Sequence, residues 1–187
     1  MSDLNWLKVS SPPLITPFKN GEVDFETYTR LIERQIEGGS HGILVNGTTS
    51  EPSTLTTDER NELVALAVKT AKGRIPVVAA TGSQSLAETL QLSQFAERAG
   101  ADAQLVVTPY YIKPPQRGLE AYFVEVFSKL KTPAMVYHIP GRAAVSMDVA
   151  TFAAVKAKCP NLVGVKHAST DLAFVTDLLV TMGHDFK

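Results

Sequence analysis

One cysteine, Cys159, supplies all the thiol chemistry in this chain of 187 residues. That count excludes an internal disulfide framework and any multi-cysteine metal site. An excess of one charge is equally absent. Eighteen Lys and Arg stand against nineteen Asp and Glu, for a formal charge of −1, so nothing points to nucleic acid or to anionic lipid as a partner. No apolar run approaches the roughly 20 residues that span a bilayer. The opening MSDLNWLKVSSPP lacks the basic start and apolar core of a secretion signal. Glycine and proline occur in ordinary proportion, and no linker, charge run or low-complexity tract divides the chain. The expectation is a cytoplasmic globular protein, with enough apolar residues (44%) for a sizeable core.

What is present is a regular alternation of two hydrophobic periods. Short apolar runs rich in branched residues occupy 42–46 (GILVN), 75–81 (IPVVAAT), 103–108 (AQLVVT), 134–139 (AMVYHI) and 162–166 (LVGVK). Continuous runs of this length suit parallel strands buried on both faces. A first strand is predicted near 9–16, interrupted by Pro12 and Pro13. Helical patterns lie between the runs. Asp24 caps a stripe of Phe25, Tyr28, Leu31, Ile32 and Ile36 that stops at Gly38-Gly39. Thr56 with Glu59 and Ser85 with Glu88 read as capping boxes. Further helices are predicted at 118–130, 148–158 and 171–182. The segments 37–44 and 98–105 echo each other, each running from a helix end through glycine into a strand, two strand–helix units apart.

Six strands alternating with six helices make an all-parallel α/β protein. No GxGxxG turn follows the first strand, which removes the main sign of an open dinucleotide-binding sheet. A (β/α)8 barrel remains. Because such a barrel runs to about 250 residues, the chain is read as one barrel domain, 1–187, that covers about six βα units and stops before strands seven and eight. The segment 183–187 reads as the lead-in to a seventh strand. A six-stranded fragment leaves two strand edges unpaired, so the isolated chain is expected to fold poorly or to be inactive.

In a parallel barrel the chemistry gathers at the C-terminal ends of the strands. Those ends carry Thr16, Asn46-Gly47-Thr48-Thr49, Thr81, Thr108 with Tyr110-Tyr111, Tyr137-His138 and Lys166-His167. Lys166 closes a run otherwise built for the interior. It is either a Schiff-base nucleophile with an amine neutralised by burial, or a strand-end lysine reaching solvent. Tyr137 offers a hydroxyl for proton transfer, or is a half-buried tyrosine with one hydrogen bond. Thr48 and Thr49 follow Gly47, so backbone amides and two hydroxyls are available to a carboxylate, or the segment is an ordinary turn. Arg142, five residues past Tyr137, suits bidentate carboxylate binding or is a solvated loop residue. Tyr110 and Tyr111 lie in a proline-stiffened loop that is a pocket wall, a core plug or a subunit contact. His138 and His167 have no carboxylates at ligand spacing, so no metal site is expected.

The segments GTTSEPSTLTTDER, PYYIKPP, YHIPGR and GVKHAS, in this order and spacing, resemble the dihydrodipicolinate synthase / N-acetylneuraminate lyase superfamily of pyruvate-dependent class I aldolases. The resemblance runs from Ile15 through the helix after Lys166. It implies a (β/α)8 barrel with a helical C-terminal extension, assembled as a homotetramer of tight dimers or as a homodimer. It also implies that Lys166 forms the imine with pyruvate and that Tyr137 relays protons to it. By the same resemblance Thr48 belongs to the relay, and Thr49, with Gly47, grips the pyruvate carboxylate. Tyr111 matches a tyrosine that crosses the dimer interface into the neighbouring site. Arg142 matches the arginine that binds the carboxylate of the aldehyde substrate and points to the synthase branch. No cofactor is needed, because the imine is itself the electron sink.

The chain departs from the family pattern at four places. Ser50 stands for a glycine, Pro52 for a small polar residue, His138 for a frequent asparagine, and His167 for the usual glutamate. The resemblance thus implies condensation of pyruvate with aspartate semialdehyde in lysine and diaminopimelate biosynthesis. The alternatives are another pyruvate lyase or dehydratase acting on a sugar acid or hydroxy-oxo acid, or a non-catalytic truncated remnant. A metal-dependent class II aldolase lacks the ligand clusters it needs.

Overall fold

The structure is a computed structural model that describes residues 4–187. Strand Ile43–Val45 pairs in parallel with Val77–Ala80, and Ala134–His138 pairs in parallel with both Ala103–Val107 and Leu162–His167, with helices between successive strands. This is the alternation of a (β/α)8 barrel through its first units. The chain divides into two compact units, one comprising the residues up to Ala80 with Phe95–Ala103, the other Thr81–Gln94 with Gln104–Lys187. Among the described residues no helix is long and apolar enough to cross a membrane.

In the first unit, the expected strand at 9–16 is reduced to one parallel bridge, Pro13 to Leu44. Pro12 and Pro13 lack amide protons and add no donor to the ladder, which is left with one bond from each side. Leu44 N–H donates to Pro12 O (3.0 Å), and Leu14 N–H donates to Leu44 O (3.0 Å). A hairpin follows, β1 (Phe18–Lys19) and β2 (Glu22–Val23), antiparallel across Asn20-Gly21. Both turn residues have positive φ (55° and 88°), the conformation that an Asn-Gly pair adopts most readily.

Helix α1 (Phe25–Glu37) starts where Asp24 accepts from Thr27 N–H and buries Tyr28 and Ile32. It ends in a Schellman arrangement at Gly39 (φ 78°), with Ser40 N–H donating to Gln35 O (3.0 Å) and Gly39 N–H to Ile36 O (3.1 Å). Strand β3 (Ile43–Val45), helix α2 (Thr57–Ala71) and strand β4 (Val77–Ala80) complete this unit's βαβ pair, with Ile43 opposite Val77. The capping box Thr56–Glu59 opens α2. Tyr28, Ile32, Ile43, Val45, Leu63 and Ala67 form the core.

Helix α3 (Leu86–Ala99) follows Ser85, the predicted cap. Glu88 N–H donates to Ser85 Oγ (3.4 Å), and the Glu88 carboxylate accepts from Ser83 Oγ (2.5 Å). Ser83, two residues earlier, adds its hydroxyl to this helix start, and Ser85 N–H donates to Ser83 Oγ (3.2 Å).

The second unit holds β5 (Ala103–Val107) from Gln104 onward. It continues through α4 (Gln116–Phe127), β6 (Ala134–His138), the short α5 (Pro140–Ala143), α6 (Val149–Lys158), β7 (Leu162–His167) and α7 (Leu172–Met182). Helix α4 stops before the predicted 130, because Lys129 and Leu130 donate to carbonyls three residues back (3.3 and 3.2 Å) in a tightened last turn. Leu119, Phe123, Phe127, Phe152, Val155 and Leu162 form this unit's core. All five residues of β6 are buried.

Pairing of β6 with β7 slips by one residue between Ala134 and Met135, which places Tyr137 opposite Lys166 and His138 opposite His167. On the outer side of β7, Lys187 bonds in the pattern of a further parallel strand, with Val165 N–H donating to Lys187 O (2.8 Å) and Lys187 N–H to Val163 O (2.9 Å). Gly164 makes room for it, since a Cβ there would lie 2.5 Å from Lys187 O.

Candidate active site

Lys166 and Tyr137 are register partners on adjacent parallel strands, so their side chains leave the sheet on the same face. Lys166 Nζ lies 4.7 Å from the centroid of the Tyr137 ring. Tyr137 is buried and Lys166 half-buried. Burial lowers the Lys166 pKa from its ordinary value, because desolvation penalises the ammonium more than the neutral amine. The electron-rich ring face attracts an ammonium and works against that shift, yet the net direction is toward the nucleophilic form.

The loops past β5 and β6 carry the second group. Tyr111 is 84% exposed with φ +72°, a left-handed conformation rare for an aromatic residue. Ile112 N–H donates to Tyr110 O (2.9 Å) across it, so Tyr111 is the centre of a γ-turn that projects its ring from the surface. Its own amide reaches Ala143 O (3.4 Å), which leans this loop on the turn that contains Arg142. Arg142 is exposed, and its amide donates to Ile139 O (3.0 Å).

The threonine segment belongs to the first unit. Gly47 is the N-cap of a 3₁₀ turn, Thr48–Ser50, and the side chains of Thr48 and Thr49 are both exposed. The opening amides of such a turn have no carbonyl partner inside it. Two departures from the family pattern find their reason here. Ser50 is buried and donates to Leu14 O (2.5 Å), while its carbonyl accepts from Thr16 Oγ1 (2.8 Å). Pro52 opens the next 3₁₀ turn, Pro52–Thr54, where an absent amide proton leaves no bond unmade. Asn46 enters the segment with φ +58° and donates from Nδ2 to Arg60 O (2.9 Å).

Several hydroxyls of the predicted polar mouth serve the fold. Thr16 is engaged by Ser50 as above. Thr81 is buried between Ser93 Oγ (2.8 Å) and Gln104 Oε1 (3.3 Å), and Gln104 in turn donates to Ser93 O (3.0 Å). Thr108 Oγ1 is buried with no partner among the described residues. His138 and His167, one residue beyond Tyr137 and Lys166, point to the opposite face. Their Nδ1 atoms are 2.9 Å apart, and both rings stack on Phe174. In sequence, each histidine directly follows Tyr137 or Lys166, and this identical offset signals the contact once those two residues are partners. Among the described residues, no group of three His, Cys, Asp or Glu gathers as metal ligands would.

A family profile described as the dihydrodipicolinate synthetase family matches residues 7–187. The chain belongs to this family. Its relatives include the 4-hydroxy-tetrahydrodipicolinate synthases of Thermus thermophilus, 45% identical over 178 residues (95% of this chain, 60% of the relative), and of Ruegeria pomeroyi, 49% identical over 179 residues (96% and 61%). The crystal structure of dihydrodipicolinate synthase from Aquifex aeolicus superposes with a TM-score of 0.94 at 40% identity, covering 96% of this chain and 61% of that one. A structure described as the first monomeric dihydrodipicolinate synthase variant matches with a TM-score of 0.89 at 36% identity, covering 97% and 62%. The chain thus spans about 60% of the length of the curated relatives it matches.

Proposed function

We propose that this chain carries the imine-forming part of a class I pyruvate-dependent synthase that condenses pyruvate with aspartate semialdehyde to 4-hydroxy-tetrahydrodipicolinate. The observation that carries the reading is the Lys166–Tyr137 pair: a half-buried lysine with a lowered pKa, 4.7 Å from the ring of a buried tyrosine on the next strand. The neutral Lys166 amine attacks the ketone carbon of pyruvate, and the hydroxyl of the resulting carbinolamine takes up a proton and leaves as water, giving a protonated imine. That cation withdraws electrons from the methyl carbon, so a proton leaves it and an enamine forms. The enamine carbon then attacks the aldehyde carbon, and the new C–C bond forms as the aldehyde oxygen takes a proton. Closure of the substrate's amine onto the imine carbon expels Lys166 and regenerates the free enzyme.

Every step moves a proton, and hydroxyls within hydrogen-bond reach supply such transfers. Tyr137 and Thr48 take that role, with Thr49 and Gly47 for the pyruvate carboxylate and Arg142 for the carboxylate of the aldehyde. Support for these roles is the residue-by-residue match to the family motifs. Tyr111 completes the relay of a neighbouring subunit in a homodimer or homotetramer, a reading supported by its projecting ring and strained backbone. The chemistry calls for no metal or cofactor, and the enzyme works in the cytoplasm.

The test is a substrate panel on the full-length protein. Consumption of pyruvate that depends on aspartate semialdehyde, and that is lost in Arg142→Ala, supports the synthase reading. Cleavage of a sugar acid or hydroxy-oxo acid, with no response to aspartate semialdehyde, replaces it with the lyase reading.

A further inference from the structure

The two histidines on the far side of the strand pair form one device with the Arg142 turn. His138 is buried and sits where three pieces of backbone meet. Met147 N–H donates to its Nε2 (3.1 Å), and Ser146 Oγ lies 3.1 Å from the same nitrogen. A nitrogen that accepts an amide proton carries none of its own, so the neutral ring holds its proton on Nδ1. From there it donates to His167 Nδ1 at 2.9 Å. The direction of the chain is therefore fixed: Met147 amide to His138, His138 to His167. Phe152 meets the His138 ring edge-on (5.9 Å between centroids), while Phe174 stacks on both imidazoles (4.8 and 4.9 Å).

The position of this chain gives it consequences. His138 and His167 are the next residues after Tyr137 and Lys166 and are themselves register partners. The bond to Met147 closes a loop that contains the whole of α5 and therefore Arg142. The far end of that loop is also tied to the start of α4, since Gln116 donates to Ser146 O (2.8 Å) and accepts from Asp148 N–H (3.0 Å). Gln116 holds the turn to a helix. His138 holds it to the strand that carries Tyr137.

We propose that the His138–His167 pair is a positioning device that fixes the Arg142 turn to the Tyr137–Lys166 strand pair and so sets the binding of the second substrate's carboxylate. The inference rests on the synthase reading and deepens it. His138 and His167 are positioning residues, because they act through Arg142 and touch no reacting atom. The two are coupled: a change at one requires a matching change at the other. An amide at 138 with a carboxylate at 167 reproduces the chain, since the amide oxygen accepts the Met147 proton and the amide nitrogen donates to the carboxylate.

The experiment compares H138A, H138N, H167E and H138N/H167E in the full-length protein, with two readouts. The first is the rate of borohydride trapping of pyruvate on Lys166. The second is the KM for aspartate semialdehyde. The proposal predicts trapping within about twofold of wild type in H138A, while KM for the aldehyde rises about tenfold or more, the signature of a binding group moved out of place. The double variant is predicted to return KM to within about threefold of wild type, and each single variant to fall short of that.

Unchanged aldehyde KM in a folded H138A overturns the proposal, as does loss of trapping in parallel with KM, which would place the effect on Lys166 itself. Additive single and double variants overturn the coupling. Should H138A fail to fold, H138N against the double variant gives the same contrast. No trapping in the wild type would sink the synthase reading beneath the proposal, a result distinct from every variant outcome.

Discussion

The two units hold their candidate site residues by different means. In the first, the threonine turn is anchored by buried side chains around it: Ser50 and Thr16 tie it to the segment before β1, and Asn46 ties it to Arg60. Thr48 and Thr49 themselves stay exposed. In the second, Lys166 and Tyr137 are aligned by backbone register, and the side-chain anchors lie on the opposite face. A turn has no ladder to fix it and relies on polar tethers. Strand residues inherit their alignment from the sheet, so their tethers are free to position something else.

Substitutions separate these two designs. The largest effect on activity is expected from Lys166→Met. Turnover is lost altogether, since no imine forms. The same change removes a partly desolvated ammonium, and the melting temperature is predicted to stay level or rise. A fall in stability would contradict the account of Lys166 as a group destabilised by desolvation.

Tyr137→Phe keeps the ring beneath Lys166 and removes only the hydroxyl. A kcat reduced by about 10²–10⁴ is expected of a lost proton relay. Rates within a few-fold of wild type would remove Tyr137 from the chemistry.

On the other side of the comparison, Ser50→Ala is expected to lower stability by about 1–3 kcal/mol in denaturant melts, because Leu14 O is left buried without its donor. Activity should fall with it if the turn depends on that tether. A variant as stable as wild type would show that the turn needs no anchor.

Acid probes the second unit at its histidines. Burial, and then the neighbouring His167, hold the His138 pKa down to about 4, from an ordinary 6.5. Its close neighbours are His167, Phe152, Phe174 and Ser146, none of them an anion. The unfolded chain therefore takes up this proton first as pH falls. Stability rises with pH across the window from about 4 to 6.5 and is lost on acidification through it, by up to about 3 kcal/mol. The acid sensitivity should shrink in H138N/H167E. An identical pH dependence in that variant would assign the effect to other groups.

Much of the fold was legible because the determinants are local. Continuous apolar runs marked all five sheet strands, and Asp24, Thr56 and the glycines at 39 and 100 marked helix ends through chemistry within a few residues. The Asn20-Gly21 pair marks its hairpin in the same local way. What failed depended on missing donors or on distance. Two prolines thinned the first strand to a bridge. Lys166 stood out as a cation closing an apolar run, and Tyr137 as a hydroxyl at the end of another. Their pairing required the register of β6 against β7, which includes a one-residue slip that no sequence pattern announces. The His138–His167 contact hung on the same register.

The central claim is that Lys166 is a nucleophile poised beside Tyr137. The most direct test is intact-mass analysis of the full-length protein after incubation with pyruvate and sodium borohydride, followed by peptide mapping. The account predicts one reduced pyruvate adduct per chain, located on Lys166 and absent from Lys166→Met. A folded protein that takes up no adduct, or takes it up on another lysine, would contradict it.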